Sequence, residues 1–369
     1  MKKIFLFFAI FQIIVLLPIH SAAQSPNSQP PDIPIDAATK TQIINDLTKE
    51  LNDSYIFGDV AKNMESKVKQ NLRDKVYDSI TSSTEFAQKL TEDLQAVSRD
   101  KHLKVRFYYE KIPVRQTPRA PSKEEIENSL LSIKRLNYGF EKIERLPGNI
   151  GYIDLRGFSD AVAGLETVAA AMNFVNNTDA LIFDLRQNGG GDAEMGALII
   201  SYLFGEKPVH LNTFYRRRDN HTEELWTQAS VAGKRYGDKP VYVLTSNRTF
   251  SAAEGFSYEL KNLKRATIVG ETTKGGAHPG RTFRINDHFE AFVPNGRPVS
   301  PITKTNWEGA GVEPDVKVPS ELALKTAHAL ALNKIAEKTP DEQRKKVLRD
   351  LAAKAQSEIE EMRKNIKTK

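Results

Sequence analysis

Between residues 139 and 270 short apolar runs alternate with helical patterns, and this alternation limits the possible folds more than any other feature of the chain. Phe140–Leu146 and Ile150–Leu155 flank Pro147-Gly148-Asn149 and read as a hairpin. A helical pattern over 162–175 leads to a buried strand over 180–185. The turn Asn188-Gly189-Gly190-Gly191 then opens a helix through Met195, Leu198, Ile199, Tyr202 and Leu203. The same order returns downstream. The β-branched run Val241–Leu244 is followed by the polar turn Thr245–Thr249, and Ser251 opens the helical pattern Ala252, Ala253, Phe256, Leu260. A further strand covers 266–270. Strands alternating with helices predict an α/β layered core around a mostly parallel sheet.

The flanks read differently. Three amphipathic helical patterns precede the core, carrying Ile43, Ile44, Leu47 and Leu51, then Val60, Met64, Val68 and Leu72, then Phe86, Leu90, Leu94 and Val97. The third opens on a capping box, Ser82-x-x-Glu85. Together they predict a small helical bundle over 36–104 with no site residues of its own. A strand over 105–109, a proline-spaced connection from Pro113 to Pro121 and a short helix over 124–136 join it to the alternating region. After Gly275 the chain is rich in loops and strands up to Val318, and two helical patterns, over 321–336 and 340–366, close it. The expected division is a bundle over 36–104, a core over 105–320 and C-terminal helices over 321–369. A length of 369 residues accommodates one large domain and a smaller one.

The N-terminus carries an address. Lys2 and Lys3 precede an apolar run from Ile4 to Leu17, then Pro18 and the small residues Ser21, Ala22 and Ala23. This is the pattern of a secretory signal over 1–23, cleaved after Ala23. About fourteen apolar residues fall short of the roughly 20 that span a bilayer. Export to the periplasm or beyond is expected, with no membrane span once the signal is removed. Residues 24–35, rich in Pro, Ser, Gln and Asn, read as a flexible leader. The chain has no cysteine, which excludes disulfides, thiolate metal sites and a cysteine nucleophile. Its net charge of +6 comes without a dense basic run interleaved with aromatics, so no nucleic-acid partner is expected. No cofactor and no metal are expected either.

Two turns carry the chemistry. Ser251 stands where a strand becomes a helix, where its hydroxyl can cap the helix or act as a nucleophile beside N–H groups that favour an oxyanion. The glycines at 189–191 allow a backbone that presents N–H groups to an anion. That turn lacks the Lys-Ser/Thr of a P-loop and the G-x-G-x-x-G spacing of a dinucleotide fold, which leaves an oxyanion turn as its more attractive use. Both turns fall at the same edge of the sheet, where open α/β sheets bind ligands. A serine nucleophile needs a base and a group to orient that base. The candidates are His102, His278, His288 and Lys274, with the carboxylates Asp100, Glu254 and Glu308. His278, in Gly276-Ala277-His278-Pro279-Gly280, is expected to sit in a turn rather than line the cleft.

Four segments in order carry a resemblance: Leu181-Ile-Phe-Asp-Leu-Arg-Gln-Asn-Gly-Gly-Gly191, Thr249-Phe-Ser-Ala-Ala-Glu-Gly255, Gly270-Glu-Thr-Thr-Lys-Gly-Gly276 and Trp307-Glu-Gly-Ala-Gly-Val-Glu-Pro-Asp315. The chain resembles the S41 serine peptidases, the tail-specific or C-terminal-processing superfamily. It is nearest the branch of the interphotoreceptor retinoid-binding protein modules and the tricorn core. The resemblance implies a crotonase/ClpP-like layered core and a peptide or protein substrate. It implies Ser251 as nucleophile, with Ala252 and Gly189 or Gly190 supplying oxyanion N–H groups. In the processing branch the base is a lysine, whose position here is Gly276; Lys274 is displaced by two residues. The tricorn-like branch uses a histidine after the bundle, which matches His102, and a glutamate, which matches Glu308. That branch has a serine before its histidine, where this chain has Lys101, so either Glu308 or Asp100 is left to orient His102. About forty residues separate His102 from the core, too few for the PDZ domain of the processing branch. Retinoid-binding modules share the scaffold, so a binding module for apolar small molecules is the alternative function. An acyl-CoA enzyme of the crotonase type shares the layering, but no CoA phosphate site is evident.

Overall fold

A computed structural model describes residues 31–113 and 122–367. The expected signal over 1–23, residues 24–30 of the leader and all of the connection after Pro113 lie outside the described residues. In chain order the elements are α1 (Ala37–Ser54), α2 (Gly58–Arg73), α3 (Ser83–Ser98), β1 (Lys104–Phe107), α4 (Lys123–Arg135), β2 (Phe140–Leu146) and β3 (Ile150–Leu155). Next come α5 (Leu165–Val175), β4 (Ala180–Asp184), α6 (Ala193–Ser201), β5 (His210–Arg216), β6 (His221–Trp226), β7 (Val241–Thr245) and α7 (Ala252–Asn262). The remainder is β8 (Thr267–Gly270), β9 (Gly280–Arg284), β10 (Phe289–Pro294), β11 (Gly296–Val299), β12 (Val316–Lys317), α8 (Ser320–Lys338) and α9 (Glu342–Lys367). They fall into two compact units, the smaller holding 31–99, 103–113 and 280–294, the larger holding 100–102, 122–279 and 295–367.

The smaller unit is built on three capped or amphipathic helices. Asp36 accepts the Thr39 N–H at 2.7 Å to start α1, and Ser82 accepts the Glu85 N–H at 3.0 Å to start α3. Ile43, Ile44, Leu47, Leu51, Met64, Val68, Phe86, Leu90 and Leu94 are fully buried, as the 3.6-residue spacing predicts. Arg99, in a left-handed conformation at φ 57°, ends α3. The unit is more than a bundle. An antiparallel sheet, in the order β1-β10-β9, pairs Val105 with Ala291 and Phe107 with Phe289. Phe289 also meets Phe86 edge-on, at 6.3 Å between ring centres. Residues 280–294, expected in the core, therefore belong to this unit. A two-residue alternation marks a strand without saying which sheet it joins.

The larger unit is the expected α/β core. Its six-stranded sheet runs β12-β8-β7-β4-β3-β2, parallel throughout except for the edge strand β2. Every residue of β3, β4 and β7 is buried, because helices cover both faces. Leu181, Phe183, Val241, Val243 and Ile268 face α5, α6 and α7, against Met172, Leu198, Phe256 and Leu260. The intervening Ile182, Tyr242, Leu244 and Val269 face α8 and α9, against Leu322, Leu332 and Ile359. A second sheet, β11-β5-β6, is antiparallel. Sequence reading leaves β5 and β6 unassigned; β5 is half-buried and mixed in composition and β6 is mostly exposed, so no apolar run marks either. Among the described residues no helix is long and apolar enough to cross a membrane.

Because β4 and β7 are parallel neighbours, the turns after them lie side by side at one sheet edge. They are stitched together. The Phe250 N–H donates to Asn188 O at 3.1 Å, Thr249 Oγ1 donates to Leu185 O at 2.8 Å, and Ser246 Oγ donates to Arg186 O at 2.5 Å.

Candidate active site

Ser251 stands immediately before α7 at φ 56°, ψ −123°, a conformation that non-glycine residues rarely adopt. Such a backbone stores about 1–3 kcal/mol and persists only where its surroundings hold it. Glu254, one helical turn on and fully buried, does much of the holding. Its carboxylate accepts the N–H of Ser251 at 2.9 Å, Thr273 Oγ1 at 2.5 Å, the Gly275 N–H at 2.6 Å and the Gly276 N–H at 2.9 Å. Burial pushes its pKa above the usual glutamate value, and these four donors pull the other way. Glu254 is thus spent as a clamp between α7 and the segment 273–276. It was a candidate to orient a base. The pattern Ser251-x-x-Glu254, with the helix it opens, is the signal that announces the clamp.

The glycine turn abuts Ser251. Gly190 has φ +103°, and a Cβ there would lie 2.7 Å from Ser251 Cβ and 3.0 Å from Ala252 N. Asn188, fully buried, shapes the turn from both ends of its amide. Its Oδ1 accepts the Gly190 N–H at 2.8 Å, and its Nδ2 donates to Leu155 O at 2.9 Å. Of the two candidate glycine donors, Gly190 is therefore already engaged. The Gly189 and Ala252 N–H groups donate to no acceptor among the described residues.

Three further site segments belong to the same unit: Asp100–His102, the stretch 271–279, and the loop around Glu308. The half-buried His102 ring stacks on Phe250, the residue before Ser251, with ring centres 4.4 Å apart. Burial is the main cause that pushes the His102 pKa down to about 4; Asp100 opposes it, and His278 and Lys274 add to it. At neutral pH this imidazole is unprotonated and able to take a proton. Gly276 explains why the space is open to it. A Cβ at Gly276 would lie 2.1 Å from the Phe250 ring and 3.0 Å from His102 Cε1, so no lysine fits there beside these two rings. Lys274 is exposed and places Nζ 4.9 Å from the centre of the Phe250 ring. Lys101 donates to the Lys274 carbonyl, tying the two segments together.

His278 lies in a loop, as anticipated, and is 4% exposed. Its Nδ1 is 2.8 Å from Asp100 Oδ2 and 3.5 Å from Glu308 Oε2. Asp100, 1% exposed, uses Oδ1 to accept the backbone N–H of His102 at 3.0 Å. Glu308 Oε2 accepts the Ala277 N–H at 2.5 Å, while its buried Oε1 makes no hydrogen bond among the described residues. Burial raises the Glu308 pKa, reinforced by Asp100 and opposed by His278 and nearby backbone N–H groups. The carboxylates thus meet His278 directly, and it is Asp100 that also reaches the His102 backbone. His288 belongs to the smaller unit, where its Nδ1 is 3.0 Å from Tyr108 O.

The donor atoms of Asp100, His278 and Glu308 lie within 4.8 Å of one another, a donor set suited to a divalent metal. The 2.8 Å separation of His278 and Asp100 is that of a hydrogen bond, however. Ligands about 2.0–2.1 Å from a tetrahedral zinc stand farther apart than that.

The description of peptidase family S41 matches residues 149–318, and that of the N-terminal domain of peptidase S41 in eukaryotic IRBP matches residues 37–135. The chloroplastic carboxyl-terminal-processing peptidase 1 of Arabidopsis thaliana is 27% identical over 183 residues, 49% of this chain and 36% of that protein. The chain spans between 36% and 43% of the length of the first curated relatives it matches. Among solved structures, mature CPAF has a TM-score of 0.57 at 12% identity, covering 86% of this chain and 98% of that one. A putative peptidase from Parabacteroides merdae has a TM-score of 0.56 at 19% identity, covering 80% and 97%. At such identities the structural likeness establishes the fold alone.

Proposed function

Because the chain belongs to peptidase family S41, we propose that it hydrolyses peptide bonds through an acyl-enzyme, with Ser251 as nucleophile and His102 as general base. His102 takes the hydroxyl proton as Ser251 Oγ attacks the scissile carbonyl. The resulting oxyanion is met by the N–H groups of Gly189 and Ala252, each such donor being worth roughly 3–4 kcal/mol in the transition state. His102 then gives its proton to the leaving amine, and water, deprotonated by the same ring, releases the acid. Gly190 contributes by having no side chain. Asp100 accepts the backbone N–H of the base, and Glu308 lies on His278.

The observation that supports this reading most is the His102 ring lying on Phe250, next to a serine in a strained turn. A fluorophosphonate probe tests it. Wild type is expected to be labelled, Ser251→Ala to lose labelling without losing its circular-dichroism spectrum, and His102→Ala to label about 10²–10⁴ times more slowly. Persistent labelling of Ser251→Ala would remove the assignment. Against an apolar carrier stands the packing of His102 and Lys274 on the ring of Phe250, the residue before Ser251.

Export belongs to the same proposal and rests on the charged, apolar and small-residue order of 2–23. Expressed in a secreting bacterium, the mature protein is expected to begin at Gln24. Edman sequencing that returns the initiating methionine would overturn it.

A further inference from the structure

The proposed mechanism leaves one buried imidazole unused. His278 is 4% exposed, and the carboxylate it faces, Asp100, is 1% exposed. Burying an imidazole and two carboxylates together is costly unless their geometry is well satisfied. An ionised carboxylate only accepts, so the 2.8 Å contact requires the proton to sit on His278 Nδ1. Asp100 is then fixed at both oxygens, by His278 at Oδ2 and by the His102 N–H, 3.0 Å from Oδ1. The second bond is to the backbone of the residue that carries the base. We propose that His278 is a positioning residue for His102: by holding the Asp100 carboxylate it fixes the Asp100–His102 segment, and with it the His102 ring on Phe250 beside Ser251.

This inference rests on the serine peptidase reading, with His102 as the base. Around His102 the charged groups are Asp100 from its own segment and His278 and Lys274 from the stretch 271–279. Glu308 stands 3.5 Å beyond, on His278. Removing His278 therefore does two things. It frees Asp100 to rotate, which loosens the segment, and it leaves the Asp100 charge beside His102 without its counterpart. The first lowers the rate of the chemical step. The second makes His102 easier to protonate.

The test compares steady-state hydrolysis of a peptide substrate by wild type, His278→Ala, His278→Asn and Asp100→Asn. In His278→Ala kcat is expected to fall about 10–100-fold with KM within twofold, consistent with misplacement of a catalytic group. The acid limb of kcat/KM is expected to move upward by about one pH unit. Asparagine carries Nδ2 where histidine carries Nδ1, two bonds from Cβ, so His278→Asn keeps the donor and is expected to stay within about threefold of wild-type kcat. Asp100→Asn still accepts the His102 N–H through Oδ1 but sets Nδ2 against the His278 Nδ1–H; relieving that clash takes a shift of the imidazole proton to Nε2, and the variant is expected to fall with the alanine one. A His278→Ala enzyme with wild-type kcat and acid limb overturns the proposal, as does an asparagine variant as slow as the alanine one. If His278→Ala does not fold, Asp100→Asn takes its place, and wild-type kcat in that variant overturns the proposal equally. Loss of fluorophosphonate labelling from wild-type Ser251 is a separate result, and it strikes the peptidase reading instead.

Discussion

His102 is half-buried against Phe250, and burial rather than any partner dominates its proton affinity. The consequence can be measured. A histidine at its reference value near 6.5 would lose basicity just below neutrality. With the ring pushed down to about 4, kcat/KM is expected to hold nearly level from neutrality to about pH 5 and to halve near pH 4. An acid limb centred on 6.5 would show that the ring is solvated, or that it is not the base. The same shift has a sign for stability. Unfolded chains take up this proton below about pH 6.5 while the folded ring resists until about 4. The contribution is therefore present above pH 6.5 and is lost as the pH falls through that window. Ser251 and Gly276 complete this local logic. One is held in a strained turn by a buried carboxylate, and the other leaves the space between two rings empty of side chain.

Helix α7 carries two buried glutamates with different duties. Glu254 at its start is saturated with donors and joins the helix to 273–276. Glu259, one turn on, has a single side-chain donor, Asn212 Nδ2 of β5 at 3.2 Å. Burial drives its pKa up to about 8, with the charge of Glu194 adding to the effect and the Asn212 bond opposing it. Folded Glu259 thus keeps its proton to about pH 8, whereas the unfolded chain releases it near 4.5. Stability from this group is full below about 4.5 and is lost as the pH rises to 8, by roughly 5 kcal/mol at most. Glu259→Gln, which keeps the shape and removes the charge, is expected to lose less stability than wild type between pH 5 and 8.5. Urea midpoints at the two pH values decide it; equal slopes would acquit Glu259. The seam between α7 and β5 is therefore the place where alkali should first loosen the core.

Across the whole molecule, the order of strands and helices in the larger unit was legible because its signals are local. The continuous apolar runs of β4 and β7 mark strands buried on both faces, and the helices after them follow 3.6-residue spacing. The N-cap at Ser82 and the two turns at 188–191 and 245–251 were legible for the same reason. Strands β5 and β6 were not, since a half-buried strand of mixed composition and an exposed, charged one carry no such pattern. Nor was the placement of β10, whose partner β1 lies more than 170 residues away in the chain, and with it that of β9. At the site, the candidate list held the residues that converge but could not sort them. Glu254 became a clamp, His278 turned out buried, and Gly190 turned out to have its N–H already engaged. Phe250 and Asn188 were passed over, because their parts depend on what stands across from them.

Chain order alone thus dictated where the strands, helices and turns of the parallel-sheet region begin, and that a serine and a run of amides would meet at one edge of that sheet. Those properties follow from neighbours a few residues apart, whose spacing sets burial and capping. Folding assigned the partners: His278 with Asp100 across 178 positions, His102 with Phe250, Glu254 with the amides of Gly275 and Gly276. Such pairings depend on distances in space between segments that share no local pattern, and so no reading along the chain could choose among them.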